Sequence, residues 1–306
     1  MNPHGNYINN TFDLNQVGDI PLARITTHKI RLMKEKGKKI VMLTAYDAPT
    51  ANILSECGVD MILVGDSVGN SLLGYESTIP VTLEDVIHHC AAVSRAKPNS
   101  FIVGDMPFMS YKVSTEQALE NCGKMLQKGG AEAVKIEGGT ARVVEIVKSV
   151  VDAGIPVMGH IGLTPQSIYE LGGYRVQGRT KETTESLVSQ AVALEKAGAF
   201  SIVIELVPSL TAKMVTESID IPTIGIGAGP HCDGQVLVIW DMLGLFEEFN
   251  PKFLKKYANI RQVIKDAVNE YSKEVRNGEF PDPKHSFEMS EEESGRLYGR
   301  NKPNEK

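Results

Sequence analysis

Eight short apolar runs, rich in Val and Ile, alternate with stretches of helical periodicity along this 306-residue chain. Most of the runs are apolar throughout, which is typical of strands that are buried on both faces of a parallel sheet. Eight strands that alternate with helices predict an α/β fold, a (β/α)8 TIM barrel. The predicted strands are Ile40–Asp47, Met61–Ser67, Phe101–Pro107, Ala133–Gly139, Pro156–Gly162, Phe200–Val207, Pro222–Gly229 and Gln235–Met242.

The stretches between the runs predict the barrel helices. Several of them reach a Gly just before the next strand, at Gly58, Gly129, Gly154 and Gly198, as helices commonly do at their carboxyl ends. The short gap between strands seven and eight, GAGPHCDG, predicts a truncated seventh helix. The predicted helices are Ala48–Cys57, Thr82–Ala96, Thr115–Lys128, Ala141–Ala153, Thr183–Ala197 and Leu210–Ser218.

Two segments flank the predicted barrel. Thr26–Lys36 has helical spacing and is expected either to cap the bottom of the barrel or to contact another subunit. The predicted organisation is an N-terminal extension over residues 1–25, a single (β/α)8 domain with flanking helices over 26–287, and a charged C-terminal tail over 288–306. A C-terminal helical extension precedes the tail, whose last ~15 residues are expected to be disordered.

Composition narrows the class of function. A net charge of −6 and a pI near 5.7 provide no basic surface for nucleic acid, so a small-molecule substrate is expected. Neither a signal peptide nor a membrane-length apolar stretch is present in the sequence, which predicts a cytoplasmic protein with no membrane partner. The cysteines lack the spacing of a zinc site or a disulfide framework and are expected to be reduced and mostly buried. They are Cys57, Cys90, Cys122 and Cys232.

Acidic residues end the apolar runs of three successive predicted strands, the second to the fourth. Asp66 ends MILVGD, Asp105 ends FIVGD and Glu137 ends AVKIE. The carboxyl ends of barrel strands open onto one face, so these carboxylates are expected to converge and to suit a hard divalent cation such as Mg²⁺. The alternative is structural, with Asp66 capping the next helix and Glu137 paired to a nearby cation. Three acids at equivalent positions favour the metal site.

Lys135 lies two residues before Glu137 on the same predicted strand, and their side chains therefore share a face. It is expected to contact a substrate carboxylate or enolate oxygen. A Schiff-base role competes with this, but acidic neighbours would keep Lys135 protonated and favour the role of charge partner.

Further polar residues occupy other strand ends. Glu205, among apolar neighbours in IVIELVP, is interpreted either as a general base or as a member of a structural ion pair. His160 could orient substrate, donate to an oxyanion or be a satisfied interior residue. Ser67 could bind substrate, whereas Asp47 is as well placed to cap the first barrel helix.

Seven motifs along the chain occur in the same order as in one known family. They are GDSVGN, GDMPF, VKIEGG, GHIGLTPQS, LGGYRVQGR, IELVP and IGIGAG…DGQVLV. In these motifs the chain resembles the ketopantoate hydroxymethyltransferase family, from about Thr26 to about Phe287. The N-terminal extension and the charged tail lie outside the resemblance.

The resemblance implies an activity and its site. The family is a (β/α)8 barrel that binds Mg²⁺ and transfers a one-carbon unit from 5,10-methylenetetrahydrofolate to 2-oxoisovalerate through a Mg-stabilised enolate. The product, ketopantoate, serves pantothenate and coenzyme A synthesis, and a homodecamer is implied. By motif, the metal residues would be Asp66, Asp105 and Glu137, the substrate-binding residues Asp66, Ser67, Asp105, Lys135 and His160, and the catalytic base Glu205.

Two other classes compete with this reading. The phosphoenolpyruvate mutase and isocitrate lyase group shares the barrel, the Mg²⁺ and the enolate chemistry, but those enzymes commonly need a loop cysteine, for which only Cys232 comes close here. A noncatalytic barrel that binds keto acid or folate would not need metal ligands, a lysine and a base together. The joint presence of these residues argues against it.

Overall fold

The computed structural model describes residues 24–298 and contains a closed barrel of eight parallel strands in the order β1 to β8. All eight predicted strands are confirmed. The eighth prediction is wrong at its carboxyl end, because Ile239–Met242 turns into a short helix instead of extending the strand. The strands are β1 Ile40–Thr44, β2 Met61–Val64, β3 Phe101–Asp105, β4 Ala133–Glu137, β5 Val157–Gly162, β6 Ser201–Glu205, β7 Thr223–Ile226 and β8 Gly234–Leu237.

The helices also follow the predicted pattern, with one exception. Residues 227–233 contain turns but no helix, so the expected truncated seventh helix is wrong: this connection must return the length of the barrel in a few residues. The helices are α1 Thr27–Glu35, α2 Ala48–Glu56, α3 Val68–Ser71, α4 Leu83–Arg95, α5 Thr115–Gln127, α6 Ala141–Asp152, α7 Ile168–Leu171, α8 Lys181–Lys196, α9 Ser209–Glu217, α10 Ile239–Met242, α11 Ile260–Asn277 and α12 Glu291–Tyr298.

Side-chain caps fix the starts of several barrel helices. The Asp47 carboxylate accepts a hydrogen bond from the backbone N–H of Thr50 at 2.8 Å, which confirms its capping role at α2. At α4 the hydroxyl of Thr82 and the carboxylate of Asp85 form a reciprocal capping box. These caps fix the residue at which each strand-to-helix connection ends. They thereby determine the length of the loops around the mouth of the barrel.

The helix α1 closes the amino-terminal end of the barrel. Ile30 and Met33 join the buried cluster formed by strand residues such as Met61 and Ile224. The Lys34 ammonium donates to three backbone carbonyls in the last turn of α9 and in the segment after it, and it pairs with Asp233 at 3.1 Å. The structure therefore confirms that α1 caps the bottom of the barrel. The polar residues at the carboxyl ends of the strands lie at the opposite end.

The described chain divides into two compact units. The first comprises residues 24–241 and 251–255 and contains the barrel. The second comprises residues 242–250 and 256–298 and contains α11 and α12, of which α12 is helical where the sequence predicts the start of a charged tail. The N-terminal extension up to residue 23 and the tail after residue 298 lie outside the described residues. Among residues 24–298, no helix combines the length and apolarity that a membrane span requires.

Candidate active site

Strand register gathers the predicted polar residues inside the barrel mouth. Asp105 of β3 is the register partner of Lys135 of β4, and Glu137 of β4 is the partner of His160 of β5. Lys135 and Glu137 are two residues apart, so the four side chains point to the same face of the sheet. Asp66, just after β2, joins them through its backbone N–H, which donates to Oδ2 of Asp105 at 3.1 Å. The predicted convergence is present.

Three of these residues form a buried carboxylate cluster, here called the acidic trio: Asp66, Asp105 and Glu137. Each contributes an oxygen, and the three oxygens lie within 4.8 Å of one another. All three side chains are buried. Burial and the neighbouring carboxylates raise the pKa of Asp66 well above its usual value, and burial raises the pKa of Asp105. Because close, buried carboxyl groups resist ionising together, a cation bound among them would stabilise their charged forms.

Lys135 partly neutralises the trio. Its ammonium lies 2.8 Å from Oδ1 of Asp105 and 3.4 Å from Oε1 of Glu137. Burial opposes the charge on Lys135, but the surrounding carboxylates outweigh it and raise the pKa of the amine above its ordinary value. For Glu137 burial is likewise outweighed, by Lys135 and His160, and its pKa falls to about 2. Lys135 is therefore charged and Glu137 ionised at neutral pH.

The acidic trio fits a hard divalent cation. Oδ1 of Asp105 is buried and lies 2.8 Å from the Lys135 ammonium, and it has no further hydrogen-bond partner among the described residues. The donor atoms of the acidic trio are carboxylate oxygens, the ligand type that Mg²⁺ prefers. The structural alternative for Asp66 is not seen, since the start of α3 has no side-chain capping hydrogen bond.

His160 connects the trio to Glu205. Its Nδ1 lies 3.3 Å from Oε1 of Glu137, and its Nε2 lies 3.2 Å from Oε2 of Glu205 at the end of β6. Burial and Lys135 lower the pKa of His160, but Glu137 and Glu205 outweigh them and raise it to about 9. Glu205 therefore has an imidazolium neighbour and a side chain that is 19% exposed, rather than the wholly apolar surroundings that the sequence suggested.

Three residues of the site were missed by sequence reasoning. Gln166 donates to Asp66, and Tyr111 contacts both Gln166 and the backbone of Glu137. Tyr46, at the end of β1, is buried and its hydroxyl lies 2.9 Å from Oγ of Ser67. The motif GHIGLTPQS contains Gln166, and attention to its last polar residues as well as its histidine would have found it.

The cysteines take no part in the site. Cys90, Cys122 and Cys232 are buried and Cys57 is exposed, which confirms mostly buried thiols without disulfides. Cys232 lies just before β8, hence at the amino-terminal end of the strands and away from the acidic trio. The loop cysteine that the rival barrel enzymes would need is therefore not provided by Cys232.

A parallel barrel whose strand ends bring together three buried carboxylates, a charged lysine and a His–Glu pair has the character of a barrel enzyme. Residues 24–283 match the ketopantoate hydroxymethyltransferase family, and the chain belongs to that family. It is therefore a hydroxymethyltransferase. Among its relatives are the 3-methyl-2-oxobutanoate hydroxymethyltransferases of Thermoanaerobacter pseudethanolicus (55% identical, covering 89% of this chain and 98% of the relative) and Heliobacterium modesticaldum (54% identical, covering 89% and 98%).

Solved structures agree on the fold. A phosphoenolpyruvate phosphomutase from Streptomyces platensis subsp. rosaceus is similar with a TM-score of 0.56 at 13% identity, covering 90% of this chain and 95% of the other. A 2,3-dimethylmalate lyase, a member of the phosphoenolpyruvate mutase and isocitrate lyase superfamily, is similar with a TM-score of 0.54 at 16% identity, covering 89% and 94%. At such low identity these likenesses establish the barrel alone.

Proposed function

We propose that this enzyme transfers a hydroxymethyl group from 5,10-methylenetetrahydrofolate to 2-oxoisovalerate and so forms ketopantoate for pantothenate and coenzyme A synthesis. The observation that carries the proposal is the buried acidic trio beside the His160–Glu205 pair. Together these groups supply a cation site for an α-keto acid and a base for the carbon next to its carbonyl. The names of the family and of its relatives support the acceptor and the hydroxymethyl transfer, and the folate donor is what the motif resemblance implies.

The metal ligands in this proposal are Asp66, Asp105 and Glu137. Magnesium bound there would supply positive charge to the carboxylate and carbonyl oxygens of the keto acid. Ser67, which is half-buried beside Asp66 and held by Tyr46, is placed to hydrogen-bond the same substrate. The fit rests on three buried carboxylate oxygens that lie within 4.8 Å of one another.

Lys135 is assigned to charge stabilisation. Removal of the C3 proton moves negative charge onto the keto oxygen, and a fixed ammonium near that oxygen stabilises the charge in a site from which water is largely excluded. The Schiff-base alternative requires a neutral amine. Because the carboxylates raise the pKa of Lys135, the amine stays protonated and is a poor nucleophile.

Glu205 is assigned as the base that takes the C3 proton. Its carboxylate becomes a carboxylic acid as the substrate becomes an enolate, and the enolate carbon then forms a C–C bond to the methylene carbon of the donor. That carbon loses both of its bonds to folate nitrogens, water supplies the oxygen of the new hydroxyl group, and tetrahydrofolate leaves. His160 holds Glu205 by an ion-pair contact of 3.2 Å and is itself held by Glu137. His160 thus orients the base and contributes positive charge close to the substrate.

A cavity beside loops that follow the carboxyl ends of β2 and β5 is assigned to the donor. It has a volume of about 730 Å³ and is bordered by the loop after α3 and by the segment around α7, including Tyr75, Glu76, Tyr169, Gly172 and Gly173. The two tyrosines offer flat faces to an aromatic ring, and Glu76 offers a carboxylate to hydrogen-bond donors on the ring edge. Both bordering segments are close in sequence to residues of the site, since the first follows Asp66 and the second follows Gln166 along the chain.

Assembly and compartment complete the proposal. The family resemblance implies a homodecamer, and the sequence predicts a location in the cytoplasm. Within the second unit, α11 has no buried residue and exposes an apolar stripe, which is the kind of surface that subunit contacts cover. The stripe is formed by Val263, Ile264, Val268, Tyr271 and Val275. Light scattering of the purified protein tests the decamer, and cell fractionation tests the compartment.

The activity is tested in two steps by proton NMR. In D2O, the C3 proton signal of 2-oxoisovalerate is followed with the protein and Mg²⁺, then with EDTA. Metal-dependent loss of the signal supports the first half of the reaction. Addition of methylenetetrahydrofolate then has to yield ketopantoate. Absence of ketopantoate with both substrates and Mg²⁺ would overturn the proposed function, whereas exchange that occurs only with folate present would show that proton removal needs the donor.

A further inference from the structure

Gln166 binds two of the three carboxylates of the acidic trio. It lies in the 3-10 turn Pro165–Ser167 after β5 and is 3% exposed. Its side-chain nitrogen donates to Oδ2 of Asp66 at 2.9 Å and to the carbonyl oxygen of Met106 at 2.9 Å. Its backbone N–H donates to Oε2 of Glu137 at 3.2 Å. One residue thus contacts acids that belong to two different strand ends.

The orientation of the Gln166 amide is determined by its neighbours. Its nitrogen faces two oxygens, and its Oε1 faces the hydroxyl of Tyr111 at 3.0 Å. The reversed amide would lose the N–H donor to Asp66 and would place Oε1 against the Met106 carbonyl, which cannot donate a hydrogen bond. Only one orientation satisfies all of these groups.

Tyr111 fixes this orientation from a fully buried position. Its hydroxyl accepts a hydrogen bond from the backbone N–H of Glu137 at 3.2 Å. Its single proton has two acceptors, Oε1 of Gln166 and the backbone oxygen of Glu137, each at 3.0 Å. Burial raises the pKa of Tyr111 well above its ordinary value, so the hydroxyl keeps its proton at neutral pH. A continuous chain of hydrogen bonds therefore runs from Tyr111 through Gln166 to Asp66.

We propose that Gln166 is a positioning residue that fixes the carboxylates of Asp66 and Glu137 for a divalent cation, and that Tyr111 fixes Gln166. The amide occupies one oxygen of Asp66 and leaves the other available for the cation. Without this donor, mutual repulsion among three close carboxylates would turn Asp66 away from its neighbours. The proposal rests on the proposed function, in which the acidic trio binds the metal.

Outer hydrogen-bond partners of metal ligands typically change metal affinity by about 10- to 100-fold when they are removed. Gln166→Met keeps an unbranched side chain of similar length but loses both N–H groups. Tyr111→Phe keeps the ring and loses only the hydroxyl. Gln117→Met is the matched control, because Gln117 is a hydrogen-bonded glutamine on α5 whose side chain accepts from Val113. A packing role alone would leave metal affinity unchanged in Gln166→Met.

The test is Mn²⁺ binding to the full-length protein, followed by electron paramagnetic resonance without keto acid or folate, so that turnover is not the readout. We expect Gln117→Met to bind like the wild type, Gln166→Met to bind roughly 10- to 100-fold more weakly, and Tyr111→Phe to show a smaller loss. Circular dichroism checks that each variant is folded.

The two kinds of failure are distinct. Wild-type protein that does not bind Mn²⁺ overturns the metal site of the proposed function and this proposal with it. Wild-type binding together with an unchanged dissociation constant in Gln166→Met overturns the positioning role alone. If Gln166→Met does not fold, Tyr111→Phe decides, and an unchanged Mn²⁺ affinity in that variant overturns the proposal.

Discussion

Nε2 of His160 lies 3.2 Å from Oε2 of Glu205, and the opposite ring nitrogen of His160 lies 3.3 Å from Oε1 of Glu137. One imidazole therefore contacts both the proposed base and a proposed metal ligand. A cation bound at Glu137 on β4 and a base at Glu205 on β6 would consequently be held in a fixed relation by the histidine of the intervening strand β5, as abstraction of a proton next to a metal-bound carbonyl requires.

Glu205→Gln should abolish proton removal and leave binding intact. The amide has nearly the same shape but cannot accept the C3 proton, and removal of a general base typically costs about 10²- to 10⁴-fold in rate. The measurement is deuterium exchange at C3 of 2-oxoisovalerate, with Mg²⁺ and keto acid binding followed by calorimetry. Glu217→Gln, on the surface of α9, is the matched control. Wild-type exchange in Glu205→Gln would remove Glu205 from the mechanism.

Asp105→Asn should raise the Mg²⁺ concentration that half-maximal exchange requires. The amide removes one charge from the trio, and its effect should reach at least the ~10- to 100-fold that is typical for a lost neighbour of a metal ligand. EDTA should stop exchange in the wild type, and added Mg²⁺ should restore it. Asp152→Asn, at the exposed end of α6, serves as control. An unchanged Mg²⁺ dependence in Asp105→Asn would exclude it as a ligand.

Lys135→Met should destabilise the metal-free protein. Lys135 is 3% exposed and is the ammonium paired with Asp105 and Glu137, so its loss leaves buried carboxylates with less compensation. Breaking a buried ion pair in this way typically costs about 3–5 kcal/mol. Denaturant unfolding of the metal-free protein measures the loss.

Divalent cations should recover part of that loss, because they bind the folded carboxylate cluster and not the unfolded chain. The Mg²⁺-induced increase in the free energy of unfolding should accordingly be larger in Lys135→Met than in the wild type. Equal stability of the two metal-free proteins would contradict the role of Lys135 in neutralising the trio.

Strand and helix positions were predictable from the sequence because local patterns determine them. Continuous apolar runs mark strands that are buried on both faces, and caps such as Asp47 mark the helix starts. The acidic trio was predictable for a related reason: barrel topology brings successive strand ends to one face whatever the loops do. Position along the strand was sufficient to group Asp105 with Glu137.

The residues that hold the acidic trio in place by hydrogen bonds were not predictable in this way. Gln166 reaches Asp66 across 100 positions of sequence, and it does so from an irregular turn rather than from a strand. The path of that turn depends on tertiary packing, which local periodicity does not encode. The neighbour of Glu205 was missed for a similar reason: the flanking apolar residues describe β6 itself, whereas His160 comes from the adjacent β5.

A single thiol should react in the native protein. Burial raises the pKa of Cys90 and of Cys122 to about 12, and Cys232 is buried as well, whereas Cys57 is exposed. The thiolate is the reactive form, so the buried thiols should be inert to iodoacetamide at pH 8. Mass spectrometry should show one rapid adduct natively and four after denaturation. Cys57→Ser should show no rapid adduct, and rapid labelling of that variant would contradict the burial.

Thr82→Ala should lower the free energy of unfolding by about 1 kcal/mol at pH 7, the typical value for a lost helix cap. The Thr82 hydroxyl accepts from the backbone N–H of Asp85 and donates to its carboxylate at 2.7 Å. The Thr82 backbone N–H and hydroxyl lower the pKa of Asp85 below its ordinary value of 3.8. A carboxylate with a lowered folded-state pKa contributes stability that is present above that ordinary value and is lost as the pH falls through the folded-state pKa.

The penalty for Thr82→Ala should therefore shrink as the pH falls below about 3.8, because Asp85 of the unfolded chain then binds a proton more readily than Asp85 of the folded wild type does. Denaturant unfolding of the wild type and the variant from pH 7 down to pH 3 measures the difference. Thr140→Ala is the matched control: Thr140 caps α6 by accepting from the backbone N–H of Val143, a group that does not titrate. The penalty for Thr140→Ala should stay constant over the same range, and a constant penalty for Thr82→Ala would show that the capping box gains nothing from the ionised carboxylate.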